Sequence, residues 1–410
     1  MEKTFHMGNR EKLAALLPNC AAAVLFSGNE VHKSADAYLL FYADRNFVYL
    51  TGIEQKRSVL LLHKDCGGNL TQRLYLLPKD LMAERWTGRR LDAREAEAIS
   101  GVAEVRSTES FEADFAELSF DTLWLDLFKN DPNDMDRPSH IFAREQSGRD
   151  IRDINPLIRS LRLIKQPCEI EALRKAEEMT RAGILAMMRA SKPGMYEYQY
   201  KAEFDRALGQ FGPKEAGFQS IISAGENNFC IHYDAYTGQA KDGDMILNDV
   251  GAQWGNLIVD VSRGWPCNGK FTDKQRLLYE CALKTSDYLF SIIRPGMKME
   301  DVDKTIRRYN AKLLVEAGVM ETEAEVGKYM WHGGAHHIGY DVHDAVIRPE
   351  ILAPGMVFCV DVGIYHEQWG IGFRVEDNCL VTEDGCENLS AGIPRTISEI
   401  ESIMNSCAFN

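Results

Sequence analysis

The sequence predicts two domains, an α/β domain followed by an α+β domain. The chain has 410 residues, which is more than one hydrophobic core usually serves. Short apolar runs alternate with polar, helix-like stretches in the first third, whereas long amphipathic helices dominate the remainder. Apolar residues make up 45% of the chain and charged residues 26%, which is typical of a folded globular protein.

The first predicted domain covers residues 1–158. Its apolar runs have the length of buried strands, and polar segments separate them, which is the α/β pattern. These runs are Ala21–Phe26, Phe47–Leu50, Val59–Leu62, Leu74–Leu77 and Leu123–Leu127.

The second predicted domain covers residues 159–410 and combines helices with strands. Pro167 suits the first turn of a long helix that ends near Pro193 and Gly194. Thr272 and Gln275 form a capping-box pattern at the start of another helix, which should stop at Pro295. A third helix is expected from Met299 to Glu316, and strands are expected at Met245–Val250, Leu257–Val261, Val357–Val360 and Ile371–Val375.

An internal repeat lies among these strands. Each copy is a hairpin-like pair of strands, with one acidic residue near the end of the first strand and another on the second. One copy carries Asp249 and Asp260, and the other carries Asp361 and Glu376. Carboxylates on apolar strands are costly to bury unless cations compensate them. Four of them in a repeated arrangement therefore predict a dinuclear site for Mn²⁺, Co²⁺, Fe²⁺ or Zn²⁺.

Histidines cluster in one glycine-rich segment, residues 331–344, which contains four of the ten in the chain. His332 and His336 are four residues apart, as in a helical zinc motif, but the glutamate of that motif is missing and the glycines disfavour a helix. The segment instead favours a strand or loop that presents one metal ligand and further polar groups to a substrate.

Charge and composition exclude several kinds of partner and place. The net charge of −14 argues against nucleic acid and acidic membranes as partners. No signal peptide is recognisable, and no stretch approaches the ~18 apolar residues that span a bilayer. The ten cysteines form no CxxC pair, so reduced thiols and a cytoplasmic location are expected.

The motifs around these acidic residues resemble the aminopeptidase P family, which belongs to the pita-bread metallopeptidases (M24). The resemblance rests on Asp249 before Val-Gly, Asp260 before Val-Ser-Arg, His336, and Glu376 within Arg-Val-Glu-Asp. The runs at 47–52 and 84–91 are similar to the creatinase-type N-terminal domain of that family. The resemblance therefore implies a pita-bread C-terminal domain preceded by that N-terminal domain.

The resemblance also implies a ligand set and a reaction. Two divalent cations, Mn²⁺ in first place and Co²⁺, Zn²⁺ or Fe²⁺ otherwise, would hold a hydroxide that attacks the peptide bond before a proline in second position. A proline nitrogen has no N–H, which disfavours ordinary peptidases. The implied metal ligands are Asp249, Asp260, His336, Asp361 and Glu376.

Further positions match the catalytic and substrate-contacting residues of that family. The implied catalytic residues are His232, His332, His343, Asp361 and Arg374. The implied substrate contacts are His232, Val342, His343, Tyr365 and Arg374.

Asp361 departs from the family pattern, in which a glutamate precedes proline and glycine. Its carboxylate is one methylene shorter, and a misplacement of ~1 Å can cost ~100-fold in rate. Two alternatives stay open: a prolidase-like enzyme that cleaves Xaa-Pro dipeptides, and a catalytically impaired protein that binds peptides. Relatives commonly assemble through the N-terminal domain, so a homodimer or homotetramer is expected.

Overall fold

The computed structural model describes residues 1–127, 137–344, 346–348 and 350–406. The chain forms two units, Met1–Leu161 and Arg162–Asn410, which divide close to the predicted boundary after residue 158. None of the helices in the described ranges is long and apolar enough to cross a membrane.

The first unit is built on a six-stranded mixed sheet with helices packed around it. Its helices are α1 (Lys3–Leu16), α2 (Arg45–Thr51), α3 (Leu81–Thr87), α4 (Ala93–Ser100), α5 (Phe111–Ala116) and α6 (Pro138–Glu145). Its strands are β1 (Ala21–Phe26), β2 (His32–Ser34), β3 (Ala37–Tyr38), β4 (Val59–Lys64), β5 (Leu70–Leu76), β6 (Glu104–Ser107), β7 (Thr122–Leu125) and β8 (Asp150–Asp153). The sheet order is β6-β5-β4-β1-β7-β8, while β2 and β3 pair separately.

Most apolar runs of this unit are strands, but Phe47–Leu50 is not. It lies inside helix α2, so a strand there was a wrong prediction. The Asp44 side chain caps the helix by accepting hydrogen bonds from the backbone N–H groups of Asn46 and Phe47, and Gly52 ends it in the left-handed region. These local end signals outweigh the strand preference of a four-residue apolar run, which periodicity alone cannot assign.

A disulfide joins Cys20 and Cys66, so the prediction of reduced thiols is wrong for this pair. The two cysteines flank antiparallel strands β1 and β4, in which Ala21 pairs with Lys64, and their Cα atoms lie 4.4 Å apart. Strand pairing thus brings together cysteines that are 46 residues apart in the chain. The expected cytoplasmic location was based in part on reduced cysteines, and this pair does not support it. Cys407 lies outside the described residues.

Helix α7 (Asn155–Arg162) lies at the division between the units, and the long helices of the second unit follow it. These are α8 (Pro167–Ala190), α9 (Glu197–Leu208), α10 (Asp273–Ile292), α11 (Met299–Glu316) and α12 (Ile397–Ser406). The predicted starts of α8, α10 and α11 are confirmed. Thr272 Oγ1 accepts from Gln275 N while the Gln275 side chain accepts from Thr272 N, which is the reciprocal capping box that the sequence predicts.

The strands of the second unit form two three-stranded sheets and a short hairpin. They are β9 (Ile221–Ala224), β10 (Met245–Val250), β11 (Gln253–Trp254), β12 (Leu257–Ile258), β13 (Val261–Pro266), β14 (Val357–His366), β15 (Ile371–Val381) and β16 (Cys386–Asn388). The sheets have the orders β13-β10-β9 and β14-β15-β16, and β13 contacts β15. Every residue of β14 and β15 is buried, so their polar side chains need partners inside the protein.

Candidate metal centre and active site

The four repeated carboxylates lie on or next to paired strands, as the internal repeat predicts. Asp249, on β10, is opposite Ser262 of β13, and Asp260 lies directly before β13. Asp361, on β14, is directly opposite Glu376 of β15. Residues opposite each other on an antiparallel pair face the same side of the sheet. The two strand pairs therefore direct their acidic side chains to one region.

Three of these side chains form a compact group. Ligand oxygens of Asp249, Asp260 and Glu376 all lie within 4.8 Å of one another. Glu376 Oε2 accepts a hydrogen bond from Ser262 Oγ at 2.7 Å. No donor from the described residues reaches the buried Oδ1 atoms of Asp249 and Asp260, so either a shared proton or a cation must hold these oxygens together.

The negative charges of the carboxylates in this group repel one another. Burial, and then the neighbouring carboxylates, raise the pKa of both Asp260 and Glu376 well above the ordinary range. Burial also raises the pKa of Asp361. Since burial and repulsion both disfavour the ionised forms, the site cannot hold all its acids ionised without a compensating cation. Unpartnered hard oxygens of this kind fit divalent metal ions.

His336 supplies a nitrogen ligand to the same region. Its Nε2 lies 3.6 Å from Asp260 Oδ2, and it forms a second group with Cys359 and Glu376 in which ligand atoms lie within 4.8 Å of one another. Burial, and then the nearby His343, lower the pKa of His336 to about 4. The ring is therefore neutral near pH 7, which is the form that binds metals. The stretch 331–344, all of it described, contains no helix. This agrees with the prediction that its glycines disfavour the helical zinc motif.

Asp361 faces the same cavity but belongs to neither three-residue group within the described chain. Its Oδ2 lies 3.2 Å from His332 Nδ1, and no hydrogen-bond donor among the described residues reaches its buried Oδ1. Burial, and then the positive charge of Arg374, lower the pKa of His332. The shorter side chain thus sits between the metal region and a histidine.

Arg374 and Tyr365 support this arrangement from within the protein. Arg374 is 2% exposed, and its guanidinium donates to Asp249 Oδ2 at 3.0 Å and to the Tyr365 hydroxyl at 2.8 Å. The same hydroxyl lies 2.9 Å from His332 Nε2. Tyr365 is fully buried and stacks on Trp331 at 4.6 Å between ring centroids. It lies behind the cavity wall, and its predicted contact with substrate stays a prediction.

Two adjoining cavities open on the carboxylates. The larger has a volume of about 520 Å³, and its walls include His232, His332, His336, His343, Asp361 and Arg374. The smaller, of about 300 Å³, has Phe218, Ile221 and Val342 in its walls, and it shares His232, His343, Asp249 and Asp260 with the larger one. His232 and His343 are exposed. All predicted site residues except Tyr365 therefore line one or both of these cavities.

A buried ion-pair cluster that the sequence did not indicate fixes the loop of Val342 and His343. Asp344 is fully buried at its side chain and accepts from Lys165 Nζ at 2.7 Å and from Arg162. Arg162 also pairs with Asp341 at 2.8 Å. These contacts span about 180 positions of the chain, as the separation of 179 between Arg162 and Asp341 shows, so no local pattern could reveal them.

Cys359 and Ser262 are further neighbours of the ligands that the sequence did not indicate. Each is two residues from a predicted ligand, Asp361 or Asp260. Side chains two apart on a strand share a face. Strand alternation around the predicted ligands is therefore the signal that could have found them.

Comparison with known proteins gives this site a family. Residues 171–383 match the description "Metallopeptidase family M24", and residues 6–123 match "Aminopeptidase P, N-terminal domain". The Xaa-Pro aminopeptidase of Haemophilus influenzae is 30% identical over 96% of this chain and 95% of its own length. The Xaa-Pro aminopeptidase of Escherichia coli is 29% identical over 96% of both chains.

Solved structures agree over the full length. A Bacillus anthracis structure described as an aminopeptidase P is 34% identical, with a TM-score of 0.96 and complete coverage of both chains. Escherichia coli aminopeptidase P with the inhibitor Pro-Leu is 29% identical, with a TM-score of 0.91 and the same coverage. The predicted pita-bread fold with its N-terminal domain, and the predicted class of metal-dependent hydrolase, are thereby confirmed. The chain belongs to metallopeptidase family M24, within its aminopeptidase P group.

Proposed function

We propose that this chain releases the N-terminal residue from peptides whose second residue is proline, with the help of two divalent cations. The observation that carries the proposal is the buried group of Asp249, Asp260 and Glu376, whose oxygens lie within 4.8 Å of one another. No donor among the described residues reaches Oδ1 of Asp249 or of Asp260. The printed names of the relatives, Xaa-Pro aminopeptidases, support the choice of substrate.

The proposed cation ligands combine oxygen and nitrogen donors. Mn²⁺ is the first expectation because oxygen ligands predominate, with Co²⁺, Zn²⁺ and Fe²⁺ as alternatives. Bound cations would supply a water of lowered pKa and would polarise the scissile carbonyl. The proposed ligands are Asp249, Asp260, His336, Asp361 and Glu376.

The remaining polar residues position the groups that react. Arg374 holds Asp249 through its 3.0 Å contact and thereby orients one carboxylate of the centre. Asp361, which is 3.2 Å from His332, is placed to hand a proton to the leaving proline nitrogen. His232 and His343 reach the cavity from its exposed side and are placed to donate hydrogen bonds to the scissile carbonyl.

The smaller cavity suits a proline ring. Phe218, Ile221 and Val342 give it apolar surface next to Asp249 and Asp260. A ring pressed against such a wall brings its tertiary nitrogen to the metal side without needing an N–H donor. The specificity proposed for this cavity is thus one of shape more than of hydrogen bonding.

Asp260→Ala tests the proposal. Purified protein is incubated with Mn²⁺ and an Xaa-Pro-Pro tripeptide, and the released first residue is measured. The variant should lose more activity than the roughly 10–100-fold that removal of an outer partner of a metal ligand costs. Asp384→Ala, in an exposed turn, is the matched control. Unchanged activity of Asp260→Ala, or no release by the parent protein with any of the four metals, contradicts the proposal.

The substrate series also separates the alternatives. Cleavage of an Xaa-Pro dipeptide without cleavage of the tripeptide would identify a dipeptidase. The position of Asp361 beside His332 is the observation that favours the second alternative, a catalytically impaired protein that binds peptides. For such a protein, mass spectrometry would find fewer than two cations per chain. Assembly into a homodimer or homotetramer and a cytoplasmic location stay predictions.

A further inference from the structure

Cys359 is a free thiol inside the metal region that no part of the proposed mechanism uses. It is fully buried on β14, two residues before Asp361, so both side chains share a face of the strand. On β15, Asn378 is opposite Cys359 and Glu376 is opposite Asp361. The thiol therefore lies on the same face of the sheet as the carboxylates of Asp361 and Glu376.

The distances place Cys359 within reach of a shared ion. Its sulfur, a nitrogen of His336 and an oxygen of Glu376 all lie within 4.8 Å of one another. One cation bonds nitrogen, oxygen and sulfur at about 2.0–2.3 Å. Side-chain rotation that draws these three atoms closer together would place them around one cation.

The backbone holds these ligands together independently of any ion. Cys359 N donates to His336 O at 2.9 Å, and Asp361 N donates to Gly334 O at 2.8 Å. An isolated bridge pairs His337 with Phe358. The histidine segment is thus fastened along β14 in a register that puts His336 beside Cys359.

The surroundings of this group also fit a cation. The Cys359 sulfur and an oxygen of Glu376 belong to one compact group, so a cation between them would contact both. The buried Oδ1 atoms of Asp260 and Asp361 receive no donor from the described residues. Asp361 belongs to neither compact group, so Cys359 supplies the third ligand atom of the group around His336.

We propose that Cys359 is a ligand of the second cation, so that the two cations of the proposed function occupy chemically unlike sites. One site has only oxygen donors, from Asp249, Asp260 and Glu376. The other has nitrogen, sulfur and oxygen donors, from His336, Cys359, Asp361 and the shared Glu376. The thiol gives its proton to solvent as the metal–sulfur bond forms. A thiolate favours Zn²⁺, Co²⁺ or Fe²⁺ over Mn²⁺ at that site.

Cobalt substitution tests this proposal without measuring catalysis. The metal-free protein, Cys359→Ser and the buried control Cys281→Ser are each titrated with Co²⁺, and near-ultraviolet absorption is followed. The parent and Cys281→Ser should develop a sulfur-to-cobalt charge-transfer band as the second equivalent binds. Cys359→Ser should lack this band and should bind the second Co²⁺ at least about 10-fold more weakly.

A measurement on the unaltered protein protects the test against a variant that does not fold. X-ray absorption of the zinc-loaded parent should show a sulfur neighbour at about 2.3 Å from zinc. Absence of that sulfur, or a charge-transfer band that persists in Cys359→Ser, overturns the proposal. Peptide cleavage without a sulfur ligand leaves the proposed function intact and removes only this inference. A sulfur ligand without cleavage of Xaa-Pro peptides supports this inference and contradicts the proposed function.

Discussion

The hydroxyl of Tyr365 connects two residues that face the cavity. It accepts from Arg374 Nη1 at 2.8 Å and lies 2.9 Å from His332 Nε2. Burial raises the pKa of this phenol well above its ordinary value, so it stays neutral and can serve as both donor and acceptor. Its action on a substrate would therefore pass through its two neighbours.

Tyr365→Phe should lower kcat/KM while leaving metal content unchanged. A hydrogen bond to a charged group contributes about 1.5–3 kcal/mol, and the loss of one corresponds to roughly 10-fold or more in rate. Steady-state kinetics on an Xaa-Pro-Pro peptide, together with metal analysis, measure the effect. Tyr309→Phe, in helix α11, is the control. Unchanged kinetics, or a loss of metal equal to the loss of rate, would disprove this positioning role.

Individual ligands could be predicted from sequence better than their partners. Asp249, Asp260 and Glu376 stand out because a carboxylate within an apolar run requires an explanation. The contact between Asp361 and His332 could not be predicted, because it depends on how the glycine-rich segment lies along β14. A one-methylene change in side-chain length decides such a contact, and spacing in the sequence does not report it.

At the scale of secondary structure, the hairpin turn of β11 and β12, which connects β10 to β13, decides whether Asp249 and Asp260 meet. Gly251 follows Asp249 by two residues, and a Cβ atom added there would lie 1.6 Å from the backbone oxygen of Val259. Because that oxygen belongs to the residue before Asp260, relief of the clash must move the two halves of the turn apart. The close approach of two backbones is thus a condition for the metal centre.

Gly251→Ala should therefore weaken metal binding as well as stability. Overpacking commonly costs 1–3 kcal/mol, and a clash with backbone gives less room for relaxation than one with a side chain. Isothermal titration with Mn²⁺ and the midpoint of thermal unfolding measure the two effects. Gly212→Ala adds a Cβ that meets nothing within 4 Å and serves as control. Affinity equal to that of the parent protein would show that the turn does not set the site.

Elements with strong local signals were predictable, and short ambiguous ones were not. Helices α10 and α11 have caps or periodicity that the chain states locally, and their predicted starts are confirmed. Phe47–Leu50 failed because four apolar residues fit a buried helix turn as well as a strand. The expected strand Leu257–Val261 is divided between β12 and β13, where the chain crosses from one hairpin into the sheet of Asp249.

At the scale of the whole molecule, acids that serve no metal also shape stability. Arg263 and Asp377 form a fully buried ion pair at 2.7 Å, although Asp377 directly follows the ligand Glu376. Neighbours on a strand face opposite sides, so one carboxylate points to the metal region and the next to a permanent cation. Such distant pairings decide which acids stay ionised, and a net charge of −14 does not reveal them.

Glu177 is a buried acid of the opposite kind. It lies on α8, is 5% exposed, and accepts a hydrogen bond from Ser390 Oγ at 2.9 Å. Burial, and then the Asp377 charge, raise its pKa to about 8 against the lowering effects of Ser390, Arg263 and Asn378. Between about pH 5 and that value, the folded protein holds a proton on Glu177 that the unfolded chain, with a pKa of about 4.3, has already released.

The folded state should therefore lose stability as pH rises from about 5 to about 8, by up to about 1.4 kcal/mol per pH unit from this group, with no further change above that window. Glu177→Gln removes the ionisation. The thermal midpoint of the variant minus that of the parent should therefore increase as pH rises across this range. Scanning calorimetry of the metal-free proteins measures the difference at each pH. Glu178→Gln, one residue along the same helix and exposed, should show no such trend. A constant difference between Glu177→Gln and the parent from pH to pH would mean that Glu177 is ionised in the folded protein, with a partner that the present contacts do not supply.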